Sequence, residues 1–350
     1  MKSASTIRPH DPLADALPWL QQPLAQALRH QRSHALLAVG QPGVGQLSFA
    51  LALARAWLCE ADGPRSAQPR REPACGRCAS CLLVSARTHP DLLVIAPQAV
   101  QEALGWSGDE DDAGDAGEGK GKAKASNEIK VEAVRRVVAF AQQTSSRGGA
   151  KVVVLHPAEQ MNAISANTLL KTLEEPAGTA RFVLSSGAPD RLLPTIRSRC
   201  QAIALPTPGA DAARAWLQGQ GVADAGVLLA AAGGQPLSAL ELGEQGMDRK
   251  TWLALPQQMR AGSTQALAGW PVPRVIDMLQ KLAVDALRAA SGREAVYFPD
   301  AGLPQGGDLV RLSAWASELR AARRHAEHPL NANLQTEALV QRARAALQTA

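Results

Sequence analysis

A glycine-punctuated turn between an apolar run and an apolar helix constrains the fold of this chain more than any other stretch. Residues 35–39 are apolar, the turn carries Gly40, Gly43 and Gly45, and a helix is predicted over 48–58. A strand, a glycine-rich loop and a helix in this order build a phosphate-binding loop, in which backbone N–H groups at the helix N-terminus face the phosphates. The sequence therefore predicts an α/β domain organised around this loop, although a short glycine turn alone is also typical of an ordinary strand-to-helix connection.

The loop lacks the two side chains that bind nucleotide phosphates and magnesium. A Lys reaches the β- and γ-phosphates and a Ser or Thr hydroxyl holds Mg²⁺, whereas this chain has Gln46 and Leu47 at those positions. Loss of the charge-assisted hydrogen bond from the Lys weakens phosphate binding by about 10- to 100-fold. Ser48 does not replace the missing hydroxyl, since one residue along a helix turns the side chain by about 100°. We therefore expect no productive ATP binding in this chain.

A second part of the expected nucleotide site is also altered. The apolar run 151–155 predicts a buried strand, and nucleotide-hydrolysing proteins place an Asp for Mg²⁺ and often a Glu for water activation at such a strand end. Here the strand is followed by His156 and Pro157, with Glu159 further on. Neither residue at the strand end supplies a carboxylate for Mg²⁺. Two separate parts of one catalytic centre are therefore degraded together.

Four of the five cysteines lie close together in the sequence: Cys59, Cys75, Cys78 and Cys81. Cysteines with two-residue spacing, in a chain without an apparent export signal, are typical of metal or thiol chemistry rather than of disulfides. We predict a structural zinc module over 59–81, because four protein ligands leave no open coordination position for catalysis. An iron–sulfur cluster and thiols without metal are the alternatives.

The order of the apolar runs indicates two or three domains. The chain of 350 residues, 46% of them hydrophobic, is long enough to bury a core in each domain. Strands alternating with helices predict a three-layer domain with a parallel sheet over 1–205. Residues 206–246 are predicted to form a small helical lid domain, and 247–350 an all-helical carboxyl-terminal domain. The charged segment 105–127 is predicted to be a disordered insertion.

Charge and hydropathy restrict the classes of partner. No stretch approaches the roughly 18 apolar residues of a membrane span, and residues 1–20 contain no apolar block of signal-peptide length. We therefore expect a cytoplasmic protein without a membrane partner. The net charge of +5 permits contact with nucleic acid but does not establish it.

Three segments carry a resemblance to a known family. They are residues 167–176 (Asn-Thr-Leu-Leu-Lys-Thr-Leu-Glu-Glu-Pro), 193–196 (Leu-Pro-Thr-Ile) and 198–200 (Ser-Arg-Cys). Together with the degenerate loop and the four cysteines, they make the chain similar to the bacterial members of the clamp-loader branch of the AAA+ ATPases. The close match covers residues 30–205. The resemblance implies an AAA+ P-loop-type parallel-sheet domain with an inserted zinc site, a helical lid and a carboxyl-terminal helical collar over 247–350 that joins subunits.

The resemblance also implies a function and a set of partners. Arg199 is similar to an arginine finger, which would act in trans on ATP bound by a neighbouring gamma or tau motor subunit; the alternative is an ordinary surface ion pair formed by Arg197 or Arg199. The chain itself would hydrolyse nothing. It would be a subunit of the DNA polymerase III holoenzyme, a nucleotidyltransferase complex, in contact with the motor subunits and the delta subunit. The sliding clamp and primer-template DNA would be reached through the complex, which loads the clamp in an ATP-dependent reaction.

Two further positions bear on the resemblance. The arginine that senses nucleotide in the family is expected near 233–238, where Leu237 and Ser238 supply no guanidinium. Ser185 is the residue at the family's first sensor position. The missing arginine agrees with a disabled ATP site, whereas a Ser at a strand end is also common for purely local reasons.

Two other functions stay open at this point. One is an active ATPase motor that uses an unusual loop. The other is a zinc-containing nucleic-acid-binding protein, which Arg70, Arg71 and Arg77 around the cysteines would favour.

Overall fold

The computed structural model describes residues 7–8, 10–13, 17–30, 32–61, 70–106, 125–303, 307–326 and 331–348. The chain divides into two compact units. One unit is His10–Thr207. The other is Pro208–Ala350, and Ile7 and Arg8 belong to this second unit.

Five parallel strands form the sheet of the first unit. They are β1 (Ala35–Val39), β2 (Leu92–Ile95), β3 (Lys151–Leu155), β4 (Ala180–Ser186) and β5 (Gln201–Ala204). Their order across the sheet is β2-β3-β4-β1-β5, and every pair is parallel. Helices cover both faces of a parallel sheet, so the strands inside it are buried on both sides. This burial explains why the strands are apolar runs in the sequence.

Seven α-helices belong to the first unit within the described ranges. They are α1 (Gln21–His30), α2 (Gln46–Leu58), α3 (Ala79–Ser85), α4 (Gln98–Ala103), α5 (Val131–Gln142), α6 (Ala163–Glu174) and α7 (Pro194–Arg197). Helices α5 and α6 bury apolar side chains against β3 and β4 in one core cluster. Helix α2 is apolar on nearly every side and contacts β3 and β4, as expected of a helix surrounded by protein.

The second unit is helical. Its helices are α8 (Ala210–Gly219), α9 (Ala225–Ala231), α10 (Pro236–Glu244), α11 (Arg249–Ala261), α12 (Val272–Ala290), α13 (Leu309–Arg323) and α14 (Ala332–Leu347). Side chains from all seven helices contribute to one continuous buried cluster. The stacked rings of Trp252 and Phe298, with centroids 4.7 Å apart, lie inside it. Within the described ranges, no single helix has the length and apolar composition of a membrane span, although α9 and α10 pass that test as a pair bent by 111°.

The predicted fold class is confirmed: a parallel-sheet α/β domain is followed by an all-helical region. Helix α2 begins at Gln46 rather than at Ser48. The division of the helical region into a lid and a collar at residue 246 stays a prediction, because one core runs through both parts. Most of the predicted disordered insertion, residues 107–124, lies outside the described residues.

A buried carboxylate fastens one end of the sheet. Asp91 precedes β2 and is 0% exposed, and its oxygens accept hydrogen bonds from the Ser145 hydroxyl and from the backbone N–H groups of Ser146 and Arg147. The Lys151 ammonium lies 3.4 Å from Asp91 Oδ1. Burial alone would raise the pKa of Asp91, but these hydrogen bonds and the Lys151 charge together lower it.

We expect the Asp91→Asn variant to lose about 3 kcal/mol of unfolding free energy at pH 7, because the charge of Lys151 stays buried without a counterion. A carboxyl group whose pKa is lower in the folded state stabilises the fold above its unfolded pKa of about 3.9, and this contribution is lost as the pH falls through the folded pKa. The difference between wild type and variant should therefore shrink below about pH 4. Urea denaturation at several pH values measures this difference in unfolding free energy.

The control is Asp190→Asn, because Asp190 is 94% exposed in its pair with Arg197. This change should cost less than about 0.5 kcal/mol. A difference for Asp91→Asn that is the same at pH 7 and pH 3 would show that the ionised carboxylate is not the stabilising group.

Candidate functional site

The glycine loop between β1 and α2 is covered by the chain's own amino-terminal segment. Gly45 precedes α2 with a φ of 100°, a conformation that favours glycine. A Cβ atom at this position would lie 2.3 Å from Leu17 Cδ1, so a side chain would collide with Leu17 as well. The indole N–H of Trp19 donates a hydrogen bond of 2.8 Å to the Val44 carbonyl. The loop geometry is therefore kept, and apolar side chains of the same molecule pack against it.

Gln46 turns its side chain into the loop. Its Nε2 atom donates hydrogen bonds of 2.8 Å to the carbonyl oxygens of both Gly40 and Gln41, and the residue is only 5% exposed. These two bonds use both amide hydrogens of the side chain. Leu47, at the position of the magnesium-binding hydroxyl, is also buried. The residues that replace the Lys and the hydroxyl thus stabilise the loop internally.

The carboxyl ends of β1, β3 and β4 bring the predicted site residues together. The Gly40 N–H donates to the Ser186 carbonyl at 3.2 Å, and His156 Nδ1 lies 2.8 Å from the Ser185 hydroxyl oxygen. Burial lowers the pKa of His156 to about 4, which the nearby Glu159 carboxylate partly opposes. The imidazole is therefore neutral at pH 7. Neither His156 nor Pro157 provides a negative charge for Mg²⁺ at this edge.

Glu159 holds the backbone that follows β4. Its Oε1 atom accepts hydrogen bonds from the N–H groups of Gly187 at 2.9 Å and Ala188 at 3.1 Å. Gly187 lies beside Pro42 of the glycine loop. The Glu159 carboxylate is thus used to position backbone beside the loop, a role that the sequence does not indicate.

Arg199 lies beyond α7 and is bound to an acidic residue of the same chain. Its Nε and Nη2 atoms both donate to Oε1 of Glu174, with Nε at 2.6 Å. Its Nη1 atom donates to the Thr195 carbonyl at 2.9 Å. Glu174 is within the family-like segment 167–176, but nothing in that segment predicts that it pairs with Arg199. The two residues are 25 positions apart, so no local pattern reveals the contact.

The structure brings Cys59, Cys75, Cys78 and Cys81 together, as predicted. All four sulfur atoms lie within 4.8 Å of one another, and Cys59 Sγ lies 3.9 Å from Cys78 Sγ. Metal–sulfur bonds of about 2.3 Å in a tetrahedron separate the sulfur atoms by slightly less than 4 Å. The cluster is therefore suited to hold a metal ion.

The acidities of these thiols differ widely. The backbone N–H groups of Arg77 and Cys78 lower the pKa of Cys75 to about 6. Burial, together with the neighbouring sulfur atoms, raises the pKa of Cys81 to about 12. Four thiolates this close repel one another, and a bound divalent cation removes that repulsion. The fifth cysteine, Cys200, is buried away from the cluster, and burial raises its pKa to about 12.

A buried hydrogen-bond chain anchors the cysteine module to the sheet. The Asp91 N–H donates to His89 Nδ1 at 3.0 Å, so the ring proton is on Nε2. This Nε2 lies 2.7 Å from the Ser80 hydroxyl oxygen, and the hydroxyl donates to the Leu58 carbonyl at 2.6 Å. Because its own proton goes to a backbone carbonyl, Ser80 acts as a structural residue and not as a nucleophile.

Comparison with known proteins identifies the family. The family model described as DNA polymerase III, delta subunit, matches residues 18–209. The delta-prime subunit of DNA polymerase III from Escherichia coli is 33% identical over 293 residues, which are 80% of this chain and 78% of that protein. The chain belongs to the family of DNA polymerase III delta-prime subunits.

Two further proteins show how far the likeness extends. The delta-prime subunit from Pseudomonas aeruginosa is 40% identical over 242 residues, which are 67% of this chain and 63% of that protein, so the match spans less than two thirds of that relative. Among solved structures, a DNA polymerase III gamma subunit-related protein from Thermotoga maritima is similar with a TM-score of 0.47 and 16% identity. This similarity covers 94% of this chain and 99% of that chain.

We expect Gln46→Ala to lower the unfolding free energy by about 1 to 3 kcal/mol, because two loop carbonyls lose their hydrogen-bond donor. Gln142→Ala is a matched control, since Gln142 is an exposed helical glutamine. Chemical denaturation of the two variants measures the difference. Equal stabilities would show that the Gln46 amide does not hold the loop.

Proposed function

We propose that this chain is a non-hydrolysing subunit of a clamp loader, which supports ATP-dependent loading of the sliding clamp onto primed DNA. The observation that carries this proposal is the position of the Gln46 side chain. It donates both of its amide hydrogens to carbonyls of its own loop, where an ATPase needs a Lys directed at phosphate. Without that Lys, without the hydroxyl at Leu47 and without a carboxylate at His156, the chain has no means to activate ATP.

Arg199 is the residue that we assign to catalysis. It would enter the ATP site of a neighbouring gamma or tau subunit and stabilise the charge that develops on the transferred phosphoryl group. Its side chain is 30% exposed, which is compatible with access from a second subunit. The chain alone then has no ATPase activity and contributes to catalysis only as part of the polymerase III complex.

The family implies the partners. The gamma or tau motor subunits and the delta subunit would contact this chain directly, and the clamp and primer-template DNA through the complex. The helical unit with its continuous core is the region that we assign to subunit contacts. A self-sufficient motor is disfavoured by Gln46, and the cysteine module has no described contact that favours nucleic acid over protein.

We also propose that the metal held by the four cysteines is zinc. Four thiolates in a tetrahedron are a preferred ligand set of Zn²⁺, and the ion would have a structural role. When bound, it would order the segment between α2 and α3. The cluster lies at the end of α2, and Arg55 on this helix donates from Nη2 to the Gly76 carbonyl at 3.4 Å. Folding of the module would thus be coupled to the helix that follows the loop.

We expect Arg199→Ala to impair the assembled complex while leaving this chain folded. Total ATPase activity should fall only in part, because one of several ATP sites loses its arginine, whereas clamp loading should fall by at least about tenfold. Rates of ATP hydrolysis and of clamp loading, measured with the reconstituted complex, test this.

Arg197→Ala is the matched control, because Arg197 pairs only loosely with Asp190, at 3.5 Å. It should load clamps at the wild-type rate. Loading by the Arg199→Ala complex at the wild-type rate would remove the catalytic role, and tight ATP binding by the isolated wild-type chain would contradict the proposal of a disabled site.

Metal analysis tests the zinc proposal. Native mass spectrometry and elemental analysis should find about one zinc ion per chain, and Cys78→Ser should lower that content. Cys200→Ser, which changes a cysteine outside the cluster, should retain the metal. A folded, metal-free wild-type chain whose four thiols are alkylated without a chelator would show that the cluster needs no ion.

A further inference from the structure

The contacts of Arg199 fix one edge of its guanidinium and leave one outward hydrogen available. Nε and Nη2 share the Oε1 atom of Glu174, so this oxygen lies at the side edge of the planar group. Nη1 donates back to the Thr195 carbonyl, and Ser198 Oγ lies 3.4 Å from it. Of the five guanidinium hydrogens, the second hydrogen of Nη2 points outward. Within the described part of the chain, this hydrogen has no acceptor, whereas Nη1 donates to both the Thr195 carbonyl and the Ser198 hydroxyl.

Buried neighbours hold both residues of this pair in place. Glu174 is the last residue of α6, directly after Leu173, which is 1% exposed. Arg199 lies between Ile196, which is 0% exposed, and the buried Cys200. The backbone positions of donor and acceptor are therefore set by the core. An ion pair between two mobile surface side chains would lack this support.

We infer that Glu174 is a positioning residue for Arg199: it orients the guanidinium so that the outward hydrogen of Nη2 faces the phosphate bound by the neighbouring subunit. This inference rests on the proposed function of Arg199. A guanidinium N–H forms a charge-assisted hydrogen bond with a phosphate oxygen. A guanidinium that is already oriented loses less side-chain entropy when the subunits close on ATP.

The opposite effect would be competition, in which the Glu174 carboxylate restrains Arg199 and keeps it from the phosphate. The Glu174 side chain is 47% exposed, so solvent and salt screen its charge. The phosphate carries more negative charge and approaches a different edge of the guanidinium. Orientation should therefore exceed neutralisation, and loss of Glu174 should slow the reaction.

The test is clamp loading by the complete complex with Glu174→Ala in this subunit. The rate should fall by about 3- to 10-fold, the factor expected when one long side chain must be ordered during the reaction. Glu175→Ala is the matched control: it removes the same charge one residue away, from an exposed carboxylate that has no described contact with Arg199. It should keep the wild-type rate.

Glu174→Gln, whose amide oxygen still accepts a hydrogen bond, should restore most of the rate, which a role of charge alone would not allow.

The Arg199→Ala background separates positioning from a structural role. There, Glu174→Ala should cause no further loss, because the residue that it orients is absent. A further loss of the same size, or a rate at or above wild type for Glu174→Ala alone, would overturn the inference while leaving the role of Arg199 intact. An unchanged rate for Arg199→Ala would refute the proposed function itself. Size-exclusion chromatography and melting curves confirm that each variant folds and assembles.

Discussion

Parallel pairing of the strands is the constraint on which the rest of the first unit depends. Since β3, β4 and β1 run side by side in one direction, their carboxyl ends meet at one edge. This edge carries the glycine loop, the His156–Ser185 contact and the backbone held by Glu159. In an active nucleotide-hydrolysing protein, these positions hold phosphates, Mg²⁺ and water. Here the same geometry is maintained by contacts within the chain.

The groups near the glycine loop and Arg199 differ in whether their charge is buried or exposed, and the roles that we propose for them differ accordingly. Gln46 and Glu159 each bond to backbone near the loop, and burial keeps His156 neutral. The side chain of Arg199, in contrast, is partly exposed at the surface of the same unit. This arrangement supports the proposed action on a nucleotide held by another chain.

Much of the fold could be predicted from the sequence, because its signals are local. The apolar runs at 35–39 and 151–155 form β1 and β3 with the predicted bounds, and the spacing of the cysteines predicted their cluster. The side-chain contacts could not be predicted. Whether Gln46 points outward or into its loop depends on where the loop carbonyls lie, and the pairing of Glu174 with Arg199 depends on how α6 packs beside α7. Both are consequences of tertiary structure.

The contacts of Gln46 also have an evolutionary consequence. A single change to Lys at this position would give up two hydrogen bonds to the loop and place a charge where the residue is 5% exposed. It would gain no hydroxyl at Leu47 and no carboxylate at His156. Under the proposed function, this first step towards an ATPase would lower stability without supplying the other two groups, so the packing of Gln46 opposes it.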